Sequence, residues 1–431
     1  MKATPATVPG IRFVQEVGGI EEYLLTSNGL RILLAHDDSA PVAGIMVTYH
    51  VGSRNEAIGY TGATHLLEHL MFKGAEKFHP KKGNSLDAVL ESKGAVLNAT
   101  TWLDRTNYFE IVPKDVLPLA LEIEADRMRT ATMDEADRES EMPIVRNEFE
   151  RGENNPMEAL DKAVWAAAFS AHPYHHSTIG WKSDIEGVSI ERLRQFYDDF
   201  YWPDNATLSI AGNFDPKAIL TLTKKFFGVY TKKPGAYPKM YTEEPPQEGQ
   251  RRVIVERSGN PMVCVSHKIP HARHEDVPAL TVLSTILQDD KNSRLYRAFI
   301  DTAKATDVAV YCNRFHDDSL FQTYITLTPA TTHAKAEKLL LDEYTAIAEK
   351  GVTSKELAAA KRSIRIYFSH RTDGPYALLS AINEDIAAGD WTRYVTFPED
   401  IQKVTAKDVQ RVARKYFVED QSTVGWFIPT N

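Results

Sequence analysis

Cysteine is scarce in this 431-residue chain, which has only Cys264 and Cys312, both in apolar surroundings. A disulfide framework needs several spaced cysteines, and a cysteine metal site needs paired ones, so the sequence excludes both. We expect two free, buried thiols, the usual state of isolated cysteines in apolar segments.

Long apolar runs are also missing. The longest candidates, such as residues 42–47, are strand-sized, whereas a membrane helix needs roughly 20 residues. Residues 1–9 form a polar, proline-containing lead that lacks the charged, apolar and cleavage regions of a signal peptide. We therefore expect a soluble protein of the cytoplasm or, if a signal peptide has been removed, of the bacterial periplasm.

Basic charge is not in excess either. The formal net charge is −9, which argues against a nucleic-acid binder because that function needs a basic face. The apolar content of 43 % and charged content of 25 % are ordinary for a globular protein. The length allows two to four domains.

The chain contains a two-fold repeat whose offset is half its length. Residues 193–201 recur as 409–417, and residues 204–207 match 420–423. Each copy reads as a helix opened by a Ser or Thr cap, followed by a turn and an apolar strand. Chance similarity of two such units is the alternative, and an offset of half the chain argues against it.

The order of predicted elements supports a duplication. Strand pairs are predicted at 30–34 with 42–51 and at 252–256 with 262–268, and helices follow each pair. This order favours an α+β fold with two homologous domains, each a mainly antiparallel sheet covered by helices. We predict an N-terminal domain at 1–231, a proline-rich linker at 232–250 and a C-terminal domain at 251–431, with a ligand cleft between the domains.

The segment His65-Leu66-Leu67-Glu68-His69 predicts a metal site on a helix. Histidines four residues apart project from one side of a helix, one turn apart, and two neutral imidazoles suit zinc. The intervening glutamate can take a proton from a metal-bound water and pass it to a leaving amine. On the motif alone, the alternative remains that both histidines only make hydrogen bonds and bind no metal.

Further motifs accompany this helix. They are Gly52-Ser53-Arg54 with Glu56, Phe72-Lys73-Gly74, Asn98-Ala99-Thr100, Asp104 to Tyr108, His172 to Trp181, Tyr201 to Asn205 and Gly212 to Phe214. Together with the helix they resemble a known family, the M16 or inverted-zincin peptidases, which include insulysin, pitrilysin and the mitochondrial processing peptidase. The resemblance covers nearly all of the first half of the chain. The chain length resembles the short two-domain subfamily, M16B, in which two chains form the working clam-shell.

The resemblance also implies a third zinc ligand. Members of the family carry a ligand glutamate about 75 to 80 residues after the second histidine, with another glutamate seven residues before it. Glu148 and Glu141 fit this pair, so Glu148 is the expected ligand and Glu141 a carboxylate that orients a histidine. Pro143 between them is a potential helix start or kink. The other acidic residues of this segment, Glu139, Glu150 and Glu153, are read as a solvated face.

A substrate-binding strand is implied in the same way. The family binds the peptide as an added strand along the edge strand beside the zinc, which corresponds here to Asn98, Ala99, Thr100 and Thr101. An ordinary paired strand is the alternative. The histidines His172, His175 and His176 belong to a motif that resembles a structural loop of the family, and a second metal there is the less favoured reading.

The second half departs from the family. Active members place an arginine five residues after the leucine of Ser293-Arg294-Leu295 and a tyrosine seven further on, where this chain has Ile300 and Asp307. Because these groups stabilise the oxyanion, we expect a related partner chain to supply them in a heterodimer. The expected function is a zinc endopeptidase with one Zn²⁺ per chain. A non-catalytic core subunit, a peptide-binding module and another divalent metal remain alternatives.

Overall fold

The computed structural model describes residues 5–370 and 373–430, so the first four residues of the predicted polar lead lie outside the described residues. The chain divides into two compact units that interleave along the sequence. Unit 1 comprises Met1–Asn147, Ser177–Tyr241 and Arg371–Ala387; unit 2 comprises Glu148–His176, Thr242–His370 and Ala388–Asn431. Across the described ranges, no helix has both the length and the apolarity needed to span a bilayer.

Each unit contains one mixed sheet. The strands of unit 1 are β1 (Ile11–Val17), β2 (Ile20–Leu25), β3 (Arg31–His36), β4 (Val42–Tyr49), β5 (Val96–Thr101), β6 (Thr106–Pro113) and β7 (Ala206–Gly212). Those of unit 2 are β8 (Arg251–Arg257), β9 (Met262–Ile269), β10 (Ala305–Cys312), β11 (Ser319–Leu327) and β12 (Ser422–Pro429). The four predicted strands are present as β3, β4, β8 and β9, whereas the β1–β2 hairpin was not predicted. The members of each predicted pair are not neighbours, because β7 lies between β3 and β4 and β12 lies between β8 and β9.

Helices cover both sheets. They are α1 (Ala63–Leu70), α2 (Leu86–Glu91), α3 (Leu117–Thr130), α4 (Glu135–Asn154), α5 (Pro156–Ala168), α6 (Lys182–Gly187), α7 (Ile190–Phe200) and α8 (Pro216–Phe227). The remaining helices are α9 (Val277–Leu287), α10 (His333–Lys350), α11 (Ser354–His370), α12 (Gly374–Ala387), α13 (Arg393–Lys403) and α14 (Ala406–Tyr416).

The two sheets share one topology, which confirms the predicted α+β fold with an internal duplication. The first sheet has the order β1-β2-β3-β7-β4-β6-β5 and the second β10-β11-β9-β12-β8. Five strands of the first sheet have the same order as the five strands of the second when β3 corresponds to β8, β4 to β9, β5 to β10, β6 to β11 and β7 to β12. The pairs β3–β7 and β8–β12 are both parallel, and the other pairs are antiparallel.

The compact units do not follow the contiguous division 1–231, 232–250 and 251–431, which remains a prediction about the repeat. Helix α5 precedes the linker in sequence but packs on the second sheet, where Asp161 accepts a hydrogen bond from Gln322 (2.9 Å) and another from Tyr324. Arg251 of β8 holds the last carbonyls of this helix, donating to Ala168 O at 2.8 Å.

Helix α12 makes the reverse exchange, because it follows the linker in sequence but packs on the first sheet. Leu379 lies in a buried cluster with Met46, Phe109 and Ala211 of that sheet. Gly44 of β4 permits this approach, since a Cβ there would lie 2.6 Å from the Leu379 side chain. Local sequence similarity reports the repeat but not the sheet on which a helix packs.

The predicted linker contains no helix or strand, yet it is anchored. Glu244 accepts hydrogen bonds from the backbone N–H groups of Ser170, Ala171 and His172, and its carboxylate pairs with Lys268 at 3.1 Å. Burial raises the pKa of Glu244, but the hydrogen bonds from these donors outweigh that effect and lower the pKa to about 2. This part of the segment is therefore fixed to unit 2.

A fully buried arginine lies at the centre of unit 1. Arg127 of α3 contacts Glu110 of β6 at 2.9 Å and Glu124 of its own helix, and its guanidinium lies 4.3 Å from the centre of the Tyr108 ring. Burial, and next the charge of Glu124, raise the pKa of Glu110 well above its usual value. Burial therefore favours the neutral form of Glu110, and Arg127 is the cation that faces both acidic side chains.

We predict that Arg127→Met destabilises the protein by about 3–5 kcal/mol, because a buried carboxylate would lose its cation. Urea unfolding followed by circular dichroism measures this change. The control is Lys338→Met in α10, whose ion pair with Asp342 is exposed, and its transition should match the wild type. An unchanged midpoint for Arg127→Met would show that the cluster does not stabilise unit 1.

Candidate metal centre

The helix that carries the paired histidines, α1, begins without a side-chain cap from its N-cap residue. Its N-cap is Gly62, with φ of +85°, and no side chain caps it locally. Instead, the buried Glu56 accepts hydrogen bonds from the N–H groups of Gly62 and Thr64, both at 2.7 Å. A carboxylate at a helix N-terminus satisfies unpaired donors and complements the helix dipole, which explains why Glu56 precedes this helix.

Two glycines hold this helix start against the segment before α6. A Cβ on Gly62 would lie 2.3 Å from Ile179 O, and a Cβ on Gly180 would lie 2.4 Å from Thr61 C, so only glycine fits either position. Asp184 accepts hydrogen bonds from Thr61 N (3.1 Å) and Thr61 Oγ1 (2.8 Å). Gly180 and the residues around it therefore fix the position at which α1 begins.

The two histidines lie side by side on α1, with ring centres 4.8 Å apart. Burial, and next the proximity of His69, lower the pKa of His65 to about 4. This imidazole is therefore neutral at neutral pH, which is the form that binds a metal ion.

Glu141 fixes the orientation of the second histidine. It is buried, and its Oε2 lies 2.9 Å from His69 Nδ1, while its other oxygen contacts the Lys73 ammonium. Burial raises the pKa of Glu141, but the hydrogen bonds from Lys73 and His69 lower it below its usual value. An ionised Glu141 accepts the Nδ1–H of His69, which makes Nε2 the ring nitrogen that can bind a metal ion.

Glu148 lies on the same helix as Glu141, two turns further on. Pro143 lies inside α4 and neither starts nor ends it, so the seven-residue spacing keeps both glutamates on one face. One ligand atom each from His65, His69 and Glu148 lie within 4.8 Å of one another. Among the described residues, these three form the group of His, Cys, Asp or Glu side chains that could hold one metal ion together.

The donor set fits zinc. Two imidazole nitrogens and one carboxylate oxygen, with a fourth position open to water, form a common catalytic zinc site. Two metal–ligand bonds of about 2 Å span at most about 4 Å, so small side-chain rotations would bring the three atoms into a coordination sphere.

Glu68 and the edge strand lie next to these ligands. The hydroxyl of Thr101, at the end of β5, donates a hydrogen bond to Glu68 Oε2. Sequence reasoning assigned Thr101 to the substrate strand and missed this contact. Strand alternation places Thr101 on the face that α1 covers, and this signal could have predicted it.

Strand β5 is at the end of the first sheet and pairs with β6 in the described structure. In the turn between β5 and β6, Trp102 N–H donates to Arg105 O. This bond determines which residues of β5 direct their backbone groups towards β6 and which direct them away from it. Leu97, Ala99 and Thr101 therefore direct their backbone groups to the open edge. At one of these positions, Asn98 Oδ1 accepts the N–H of Ala99 at 2.9 Å.

Other residues singled out from the sequence have roles in the fold. His172 Nδ1 accepts from Tyr174 N, and its Nε2 lies 3.1 Å from Asp317, as expected of a structural turn. Glu153 was read as part of a solvated face, but the structure corrects this: it pairs with Lys162 (2.7 Å) and Arg257 (2.9 Å).

The second half of the chain places its motif residues in unit 2. Arg294 of the Ser-Arg-Leu motif pairs with Glu356 at 2.7 Å and so stabilises that unit. At the two positions where the family carries Arg and Tyr, Ile300 ends a short π-helical turn and Asp307 is exposed on β10.

Comparison with protein families identifies the chain. The model described as insulinase (peptidase family M16) matches residues 31–182, which include α1 and α4, and the model described as peptidase M16 inactive domain matches residues 187–364. The chain belongs to the M16 peptidase family.

Individual M16 relatives agree with this assignment. The zinc protease PqqE of Helicobacter pylori is 28 % identical over 418 residues, covering 95 % of this chain and 93 % of the relative. The crystal structure of a protease from the same organism has a TM-score of 0.91 at 26 % identity and covers 96 % of this chain and 100 % of that one. The periplasmic protease PqqL from Escherichia coli shares the fold, with a TM-score of 0.79 at 16 % identity, and the match covers 97 % of this chain but 48 % of PqqL.

We predict a graded loss of zinc affinity along α4. Glu141→Gln should weaken binding roughly 10- to 100-fold, as expected for a residue that supports a ligand, and Glu148→Gln should weaken it more because a ligand is lost. Glu150→Gln, on the exposed side of the same helix, is the matched control and should bind zinc normally. Competition with a chromophoric chelator measures the three affinities. Normal binding by Glu148→Gln would exclude it as a ligand.

Proposed function

We propose that this chain is a zinc-dependent endopeptidase that hydrolyses peptides or extended segments of polypeptide. The observation that carries the proposal is the convergence of ligand atoms from His65, His69 and Glu148 on the helix segment that also carries the Glu68 carboxylate. The names of the zinc protease relatives support the metal and the reaction class.

Each residue has a separate task. His65, His69 and Glu148 would hold the ion, and Glu141 keeps His69 in the orientation and tautomer that a ligand needs. Bound zinc would supply Lewis acidity, which lowers the pKa of a bound water and polarises a peptide carbonyl. Glu68 would take a proton from the attacking water and pass it to the leaving amine.

The substrate would bind as a strand added to β5. The outward backbone groups of Leu97, Ala99 and Thr101 offer hydrogen bonds that do not depend on the peptide sequence. The Asn98 side chain occupies one of these donors, so a peptide carbonyl must replace it. The Thr101 hydroxyl joins the substrate strand to the general base, because it donates to Glu68.

A related partner chain would complete the active site. Ile300 and Asp307 cannot donate to an oxyanion as the Arg and Tyr of active members of the family do. A preorganised oxyanion donor is worth about a hundred- to a thousandfold in kcat, so its loss must be compensated. The fold of this chain matches about half of PqqL, which supports an assembly of two such modules.

We predict that Glu68→Gln retains zinc but lowers kcat at least about a hundredfold, because the general base is lost while the ligands remain. Cleavage of a quenched fluorescent peptide, with zinc content measured on the same sample, tests this. Glu91→Gln, an exposed change on α2, is the control and should be fully active. Normal cleavage by Glu68→Gln would exclude it as the base, and zinc-independent binding of peptide without cleavage in the wild type would favour a binding module.

We predict that the purified chain alone cleaves peptides slowly and that a related chain with the Arg and Tyr restores the rate. Mixing the two at increasing ratios should raise kcat to a plateau at equimolar composition, with co-elution in size-exclusion chromatography. A single chain as fast as the mixture would contradict the partner hypothesis. No cleavage by the mixture would instead favour a non-catalytic core subunit.

A further inference from the structure

A row of polar side chains crosses the first sheet and ends at the substrate strand. Thr207 of β7 pairs with Thr48 of β4, Thr48 pairs with Asn107 of β6, and Asn107 pairs with Thr100 of β5. Residues directly opposite each other on neighbouring strands share a face, so the four side chains lie on one side of the sheet. The side chain of Thr101 is on the other side, with Glu68.

Helix α12 covers this polar row. Asn383 is buried, and its Oδ1 accepts the Thr48 hydroxyl at 2.7 Å while its Nδ2 donates to Asn107 Oδ1 at 3.3 Å. The next residue, Glu384, accepts hydrogen bonds from Arg105 Nε (2.9 Å) and Nη2 (2.6 Å). One turn of α12 therefore contacts both the centre of the sheet and the turn that follows β5.

Arg105 carries this contact to the substrate strand. Its Nη1 donates to Thr100 Oγ1 (2.7 Å), to Thr100 O (3.2 Å) and to Asn107 Oδ1 (2.9 Å). The Thr100 hydroxyl in turn donates to Asn107 Oδ1 at 2.6 Å. The Arg105 side chain is only 12 % exposed, so its position is set by these partners. A planar guanidinium with several fixed acceptors is a rigid connection.

We propose that Glu384 and Asn383 of α12 are positioning residues for the substrate strand, acting through Arg105 and Asn107. This inference rests on the proposed function for its consequence, because β5 is the strand to which a peptide would add. The strand end is held from both faces, by α12 through Thr100 and by α1 through Thr101. Its outward backbone groups are thereby aligned with Glu68 before substrate arrives, which lowers the entropy cost of binding.

Amide hydrogen exchange tests the positioning role without enzyme activity. Glu384→Gln should accelerate exchange in residues 96–101 by a factor of a few, about the size expected for loss of a half-exposed ion pair. The matched control, Glu399→Gln on the exposed side of α13, should leave these amides unchanged. Unchanged exchange in Glu384→Gln, or equal acceleration throughout β4 and β7, would overturn the proposal.

Peptide cleavage tests the consequence. Glu384→Gln should raise KM about two- to fivefold while kcat and zinc content remain at wild-type values. Arg105→Gln should have at least as large an effect, and the double variant should be no worse than Arg105→Gln because the two side chains act as one unit. A lower kcat at constant KM, or lost zinc, would overturn the positioning role. If the wild type cleaves no peptide, the proposed function fails, and the exchange experiment still decides the role of α12.

Discussion

The hydrogen bond between His69 and Glu141 determines the geometry of the candidate site. It joins α1 to α4, whose contributing residues are 72 positions apart, and it sets both the ring orientation of His69 and the rotation of α4 about its axis. Glu148, two turns along the same helix, is then directed to the same place. Lys73 contributes from the turn after α1 by keeping Glu141 ionised despite its burial. This lysine lies in a motif that the sequence reveals, but its contact could not be read from spacing alone.

Periodicity made part of this site predictable. Histidines four residues apart share one helix face, and so do glutamates seven residues apart. One contact between the two helices is therefore enough to bring both pairs of side chains together. The pairing of these two helices came from the family resemblance. The start of α1 was not predictable, because its cap, Glu56, acts from outside the helix and its two close glycines come from segments more than 100 residues apart. The proline inside α4 also shows that one lost N–H does not end a helix with tertiary contacts.

The duplication predicted the repeated strand order but not the difference in use between the two sheets. Strand β5 lies at one end of the first sheet, and β10 holds the equivalent place in the second. Only the first copy has the His-x-x-Glu-His helix next to this strand. In the second copy, Arg294 is paired with Glu356, and β10 exposes an acidic residue and Tyr311. The same backbone therefore supports a candidate metal site in one copy and a structural ion pair in the other, as expected when function depends on side chains rather than on the fold.

The exchange of α5 and α12 has a consequence for the order of biosynthesis. A ribosome releases the chain from its N-terminus, so α1, α4 and β5 emerge long before residues 374–387. Until α12 is made, Asn107 and Arg105 lack the hydrogen bonds to Asn383 and Glu384, and the apolar side chains of Met46 and Phe109 lack the cover of Leu379. Unit 1 can therefore be completed only after Ala387 has been translated. For a proposed peptidase, this sequence of events postpones a fully formed catalytic surface until α12 has been made.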